Sequence, residues 1–410
     1  MTPTIFKIIF LLAIVVETAW EIFLTHKNIV WTNKNRGKIP SYLAGKTSSD
    51  ELTKSADYLA AKGVLATYEG LYNLVIIFAV ILFGVIGTID SFLAPLGNIY
   101  LRAGIFFFLI TEIQNMLNLP FSIYRTFVIE ERFGFNKTTP ELFFKDLAKE
   151  MIVGILVTIP LLLGVVWFIS EYNLWWLYSW VLILSFSLFM TWLYPIIIAP
   201  LFNKFTLLPD GELKNLIKEL AEKLGISIKE IRVMDASRRS GHSNAYFTGF
   251  GKVKRIVIFD TLIEILNNKE LLSVLAHELG HFKKRHILKR IFLLQILLLA
   301  GLYLASLGIG FDWAYKGLGL NINNWSAIVV FALVAPRLTF WFTPLSSWHI
   351  RSHEFEADSY AKEIIGTGEH LQSALIALEK NNLSNPEPDP LYKKWYYSHP
   401  TVGERIDALS

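Results

Sequence analysis

Two histidines four residues apart, His277 and His281, flank Glu278 in the stretch that runs from Glu270 to Lys284. On a helix, residues at that spacing rise one turn apart on the same face. Both imidazoles can then reach one ion, while the adjacent carboxylate holds and deprotonates a water. This His-Glu-x-x-His pattern belongs to zinc-dependent hydrolysis. A catalytic zinc takes three protein ligands and keeps a further position open for water. The chain has no cysteine, which excludes disulfides, thiol nucleophiles, iron–sulfur clusters and Cys-type zinc fingers. The third ligand must therefore be His, Asp or Glu, and residues 353–361 offer candidates. If that stretch is helical, Glu354 and Asp358 share a face and Glu356 points almost opposite. The pair fits a ligand carboxylate plus an acid that orients a ligating histidine. The plainer readings are two histidines on a helix near a basic membrane interface, and a solvated acidic patch. His286 lies beyond the pattern and reads as interfacial.

These residues need elements to hold them. Asn267 with Glu270 three positions on predicts the start of the histidine helix, and Asp260-Thr261 with Glu264 predicts a short helix before it. Further upstream, 210–224 carries Leu213, Leu216, Ile217, Leu220, Ala221 and Leu224 on a helical period. Short β runs follow at 230–234, 244–247 and 255–259, separated by turns at Gly241 and at 249–251, which predicts a small sheet. An extended peptide could pair with an edge strand of that sheet. No internal repeat or low-complexity tract is present, and 381–390 reads as a loop or linker.

The remainder of the chain is of another kind. Of 410 residues 53% are hydrophobic and only 18% charged, with 12 Trp, 30 Phe and a mean hydropathy of +0.42. Soluble domains carry about a quarter charged residues. Apolar stretches near the ~20 residues that cross a bilayer predict seven spans, at 4–24, 70–89, 100–119, 152–169, 174–198, 291–311 and 325–345. The first passes into Glu17-Thr18-Ala19-Trp20-Glu21 with no small-residue cleavage site, so it reads as a retained helix. Lys and Arg gather after the first and third spans, before the sixth and in the tail. By the positive-inside rule the N-terminus lies outside, and the tail and the chemistry lie in the cytosol. Glu17, Glu21, Glu112, Gln114, Asn115 and Arg337 fall inside spans, where a charge must pair or face water or protein. They suit ion pairs, interfacial positions or a hydrated chamber.

The expected organisation is an N-terminal membrane domain at 1–200 and a zincin-type catalytic segment at 201–290. Spans six and seven follow at 291–350, and a cytosolic segment completing the zinc site at 351–410. The fold class is mainly α and polytopic, with a small α+β protease domain on the cytosolic side. A net charge of +4 over this length gives no sign of a nucleic-acid partner. The expected partners are the lipid bilayer and a peptide or protein substrate. The host membrane would be the cytoplasmic membrane of a bacterium or the endoplasmic reticulum of a eukaryote.

Seven stretches in order, 120–137 (PFSIYRTFVIEERFGFNK), 194–206 (YPIIIAPLFNKFT), 237–250 (SRRSGHSNAYFTGF), 254–264 (KRIVIFDTLIE), 277–281, 354–358 and 398–405 (SHPTVGER), resemble the type I CAAX prenyl proteases. These are multi-spanning zinc endopeptidases that trim farnesylated proteins. The resemblance implies that His277, His281 and Glu354 bind zinc, that Glu278 is the general base, and that Asp358 is a supporting acid, sometimes assigned as proton donor. It also implies that Asn244 holds substrate backbone, that His399 and Arg405 approach the scissile carbonyl from the open side of the zinc, and that seven helices ring a water-filled chamber. Two other readings are a membrane quality-control zinc protease, which shares the metal motifs, and a seven-helix transporter or receptor, which would not depend on His277 or Glu354.

Overall fold

The computed structural model describes residues 1–248 and 253–410. Helices form where the sequence is apolar, because backbone in hydrocarbon must satisfy each N–H and C=O within its own segment. Among the described residues six helices are long and apolar enough to cross a membrane: Pro3–Lys34, Ser49–Leu82, Pro140–Glu171, Trp175–Phe202, His286–Gly308 and Asn324–Ile365. The seventh expected crossing is also helical, Ile99–Tyr124, but Arg102, Glu112, Gln114 and Asn115 leave it less apolar than the others. Side chains set the starts: Thr2 caps the first helix ahead of Pro3, Ser48 and Glu51 cap the second reciprocally, and Thr139 caps Pro140–Glu171.

The spans do not form a solid bundle. After the first, they bury only 6–11% of their most apolar windows inside the protein. An apolar core joins them at one end, where Phe10 and Ile14 meet Ile81, Ile86, Phe106, Val166, Leu318 and Trp325. The short helices Val85–Phe92 and Asp312–Gly317 close that end. A Cβ on Gly87 would collide with the Gly319 carbonyl oxygen, so the closure depends on bare backbone there. Of the intramembrane charges, Glu17 and Arg337 pair at 2.7 Å.

The other end carries the α+β segment. Four strands, β1 (Phe205–Leu207), β2 (Ser227–Met234), β3 (Ala245–Thr248) and β4 (Val253–Phe259), form a sheet in the order β1-β2-β4-β3. The β2–β4 pair is parallel and the other two are antiparallel. The three predicted runs are all present; the three-residue β1 is too short to leave a period in the sequence. The amphipathic helix is Glu212–Lys223. Strand β3 is an edge, and Ala245 and Phe247 pack with Leu271 and Leu275 of the helix Asn268–Lys283.

The short helix Asp260–Ile265 forms, but not by the expected cap. Its N-cap is Phe259, without a side-chain bond. Asp260 accepts from the Thr261 amide at 2.8 Å and also from the Ser237 amide at 2.9 Å, and the Thr261 hydroxyl donates to the His242 carbonyl at 3.1 Å. Both residues are used to tie down the strap 237–242. The strap also grips the membrane half: Arg239 makes two bonds to Asp146, at 2.8 and 3.1 Å, and the Gly241 amide donates to the Phe135 carbonyl at 3.0 Å. His242 stacks on Phe135 with ring centroids 4.3 Å apart. The turn expected at Gly241 is thus a docking point; the one at 249–251 lies outside the described residues.

Candidate metal centre

The helix Asn268–Lys283 starts at a reciprocal cap. The Asn267 side chain accepts from the amides of Lys269 and Glu270, and Glu270 accepts from the Asn267 amide. Leu271, Leu275 and Leu279 face the apolar core, turning His277 and His281 toward the helix Thr343–Ile365. These two helices touch at Gly280, where an added Cβ would lie 3.0 Å from the Ala357 Cα. Glycine allows that approach, and it sets Glu354 and Asp358, one on each side of Ala357, against the two histidines. Sequence reasoning passed over Gly280, a variable position of the pattern.

The result is a close triangle of acceptors. His277 Nε2 and His281 Nε2 are 3.1 Å apart, Glu354 Oε1 is 3.3 Å from His281 Nε2, and Glu354 Oε2 is 3.5 Å from His277 Nε2. Ligands held at 2.0–2.1 Å on a tetrahedral ion stand about 3.3–3.4 Å from one another. Asp358 Oδ1 lies 2.8 Å from His277 Nδ1 and accepts the hydrogen bond that nitrogen's N–H donates, which leaves the lone pair on the inward Nε2. Glu354 is 3% exposed, and both its oxygens are turned to imidazole nitrogens. A buried carboxylate converging with two imidazole nitrogens is a donor set suited to one cation, so these residues fit a metal. Burial works against a charged His277, yet the hydrogen bonds of Asp358 and Glu354 outweigh it and hold its pKa up at about 9, so the two carboxylates favour positive charge at this point, as a proton or as a metal ion.

Glu278 stands beside the triangle and makes no hydrogen bond among the described residues. Burial pushes its carboxyl above the ordinary value, against the pull of His277 and His281. Arg405 is buried, bonds both Asp358 oxygens at 2.8 and 2.6 Å, and reaches within 3.9 Å of Glu354 Oε2 through Nη1. It therefore stands behind His277, on the Asp358 side. His399 is 64% exposed, with Nδ1 at 2.8 Å from Glu354 Oε2. Six of the seven remaining expected partners of His277 thus share one site: Glu278, His281, Glu354, Asp358, His399 and Arg405. The seventh, Asn244, directly precedes β3, and its side chain accepts from the Ala245 amide at 2.8 Å.

His286 corrects the sequence reading: it is 4% exposed, with Nδ1 2.9 Å from His281 Nδ1. On a continuous helix, residues five apart diverge by about 140° and do not meet. Arg285 interrupts the helix with φ 58°, a left-handed turn that folds His286 back onto His281. No periodicity in the sequence signals such a turn.

Comparison with known proteins gives a consistent result. Residues 28–204 match the family profile described as CAAX prenyl protease N-terminal, five membrane helices, and residues 207–410 match Peptidase family M48. The CAAX prenyl protease 1 homolog of Mus musculus is 34% identical over 95% of this chain and 92% of its own length. CAAX prenyl protease 1 of Saccharomyces cerevisiae is 32% identical over 96% and 93%. The crystal structure of S. mikatae Ste24p superposes with a TM-score of 0.91 at 31% identity, covering 99% of each chain.

Proposed function

The chain belongs to the M48 peptidase family, as a multi-pass membrane metalloprotease of the CAAX prenyl protease type, and from that premise we propose that it is a zinc endopeptidase. It cleaves prenylated CAAX-type or other membrane-delivered peptides on the cytosolic side of its membrane. The observation that carries the reading is the triangle of His277, His281 and Glu354, whose edges of 3.1–3.5 Å suit one tetrahedral cation. The distribution of Lys and Arg supports the cytosolic side.

Zinc, when bound, supplies a Lewis acid that polarises the peptide carbonyl and acidifies the attacking water. His277, His281 and Glu354 hold it. Glu278, with no competing hydrogen bond, accepts the water's proton on its carboxylate and returns it to the leaving amine nitrogen. Asp358, clamped by Arg405, keeps the His277 Nε2 turned inward. His399, exposed beside Glu354, is the donor that meets charge developing on the carbonyl oxygen, while Arg405 acts from behind His277 through Asp358. An extended substrate lies along β3 from Asn244, adding its backbone to the open edge of the sheet.

The test is a cleavage assay on prenylated and plain peptides, with and without chelator, for the native chain and Glu278→Gln. The variant should keep its zinc by metal analysis and lose hydrolysis. Normal turnover by it would end this mechanism. Preference for an unprenylated, unfolded membrane protein would favour the quality-control reading over the prenyl substrate.

A further inference from the structure

His281, unlike His277, has no carboxylate on its outer nitrogen. Its Nδ1 meets His286 Nδ1 at 2.9 Å, and His286 Nε2 meets Glu356 Oε2 at 3.1 Å. The His286 ring also stacks on His353, with centroids 4.0 Å apart and planes 5° from parallel, and His349 lies against His353 at 4.4 Å. Both nitrogens and a face of a 4%-exposed imidazole are thus engaged. A histidine resting at a membrane interface would leave a nitrogen to water.

The proton count permits one arrangement once His281 Nε2 is to offer a lone pair. The His281 proton must then be on Nδ1 and donate to His286 Nδ1. That nitrogen must accept, so the His286 proton is on Nε2 and donates to Glu356. Each ring carries one proton, and every donor meets an acceptor.

We propose that His286 is the positioning residue for His281, fixing its tautomer and ring plane for the metal, with Glu356 fixing His286 in turn. The site thereby has two separate supports, Asp358 with Arg405 behind His277, and His286 with Glu356 behind His281. The inference rests on the metal reading given above. Outer partners of a ligating histidine are worth roughly 10–100-fold in metal affinity.

The test is competition for zinc between a chromophoric chelator and the purified, metal-stripped full chain. Melting of the stripped protein reports folding separately. His286→Leu should bind zinc about 10–100-fold more weakly. His286→Asn, which keeps an acceptor near the Nδ1 position, should recover most of that loss. Glu356→Ala should lose less than His286→Leu, and the double variant should be no weaker than His286→Leu alone. Wild-type affinity in a folded His286→Leu overturns the proposal. Equal weakening in the Leu and Asn variants does so too, since ring bulk rather than hydrogen bonding would then be at work. If His286→Leu does not fold, Glu356→Ala decides: weaker zinc in a folded protein supports the relay, and unchanged zinc overturns it. Failure of the unmodified chain to bind zinc would overturn the metal reading itself, a separate outcome.

Discussion

Two buried carboxylates at opposite ends of the spans make an instructive pair. Asp90, 1% exposed, accepts from Arg102 Nε at 3.1 Å, from Asn321 and Asn323 amides at 2.9 Å each, and from the Trp325 indole at 3.2 Å. Its donors and acceptors balance, and they tie the helix Val85–Phe92 to the segment before Asn324. Glu354, equally buried, faces the Nε2 atoms of His277 and His281, which must themselves offer lone pairs, with the exposed His399 Nδ1 at 2.8 Å from its Oε2. A balanced polar cluster holds structure together, whereas a converging surplus of acceptors is a place for a cation.

That contrast can be broken by experiment. The largest effect should come from Glu354→Gln, which removes a ligand: zinc affinity should fall by more than the roughly 10–100-fold that outer contacts are worth, and peptide cleavage should vanish, as with chelator on the native chain. Glu278→Gln should leave zinc bound while kcat/KM drops roughly 10²–10⁴-fold; parallel loss of metal would mean that Glu278 is a ligand. Asp90→Ala should do the reverse, lowering stability by about 3–5 kcal/mol in thermal unfolding with zinc affinity unchanged. Weakened zinc in that variant would show that the two ends are not independent.

Glu379, on the helix Glu369–Asn381, sharpens the rule with a smaller effect, because it is buried with a single partner, the Tyr42 hydroxyl at 3.1 and 3.2 Å. Burial pushes its pKa up to about 7, against the Tyr42 bond. Between its ordinary 4.5 and about 7 the folded chain keeps a proton that the unfolded chain has released, so stability falls as pH rises through that window. Glu379→Gln should raise the Tm at pH 8 and leave it nearly unchanged at pH 4.5. An equal shift at both pH values would assign the gain to packing instead.

The legible features of this sequence are those with a period or a composition. Apolar length marks the spans, the four-residue spacing of His277 and His281 marks one ligand face, and the same spacing of Glu354 and Asp358 marks the other. Asn267 and Glu270 mark the start of the histidine helix, and each of these features lies within a single continuous segment. At Asp260-Thr261 the polar groups are shared with tertiary partners: Asp260 accepts from the amides of both Thr261 and Ser237, and the Thr261 hydroxyl donates to the His242 carbonyl. The strand β1 was too short to register.

The sequence alone determined which residue types could bind a cation and on which helical faces they stand, because those properties follow from side-chain chemistry and the pitch of the backbone. Only the tertiary structure decided which faces meet. The approach of Gly280 to Ala357, the left-handed turn at Arg285 that returns His286 to His281, and the clamp of Arg405 on Asp358 all join residues that no period relates. Contacts of that kind arise from the packing of separated segments, where the energy lies in shape and desolvation rather than in any local pattern.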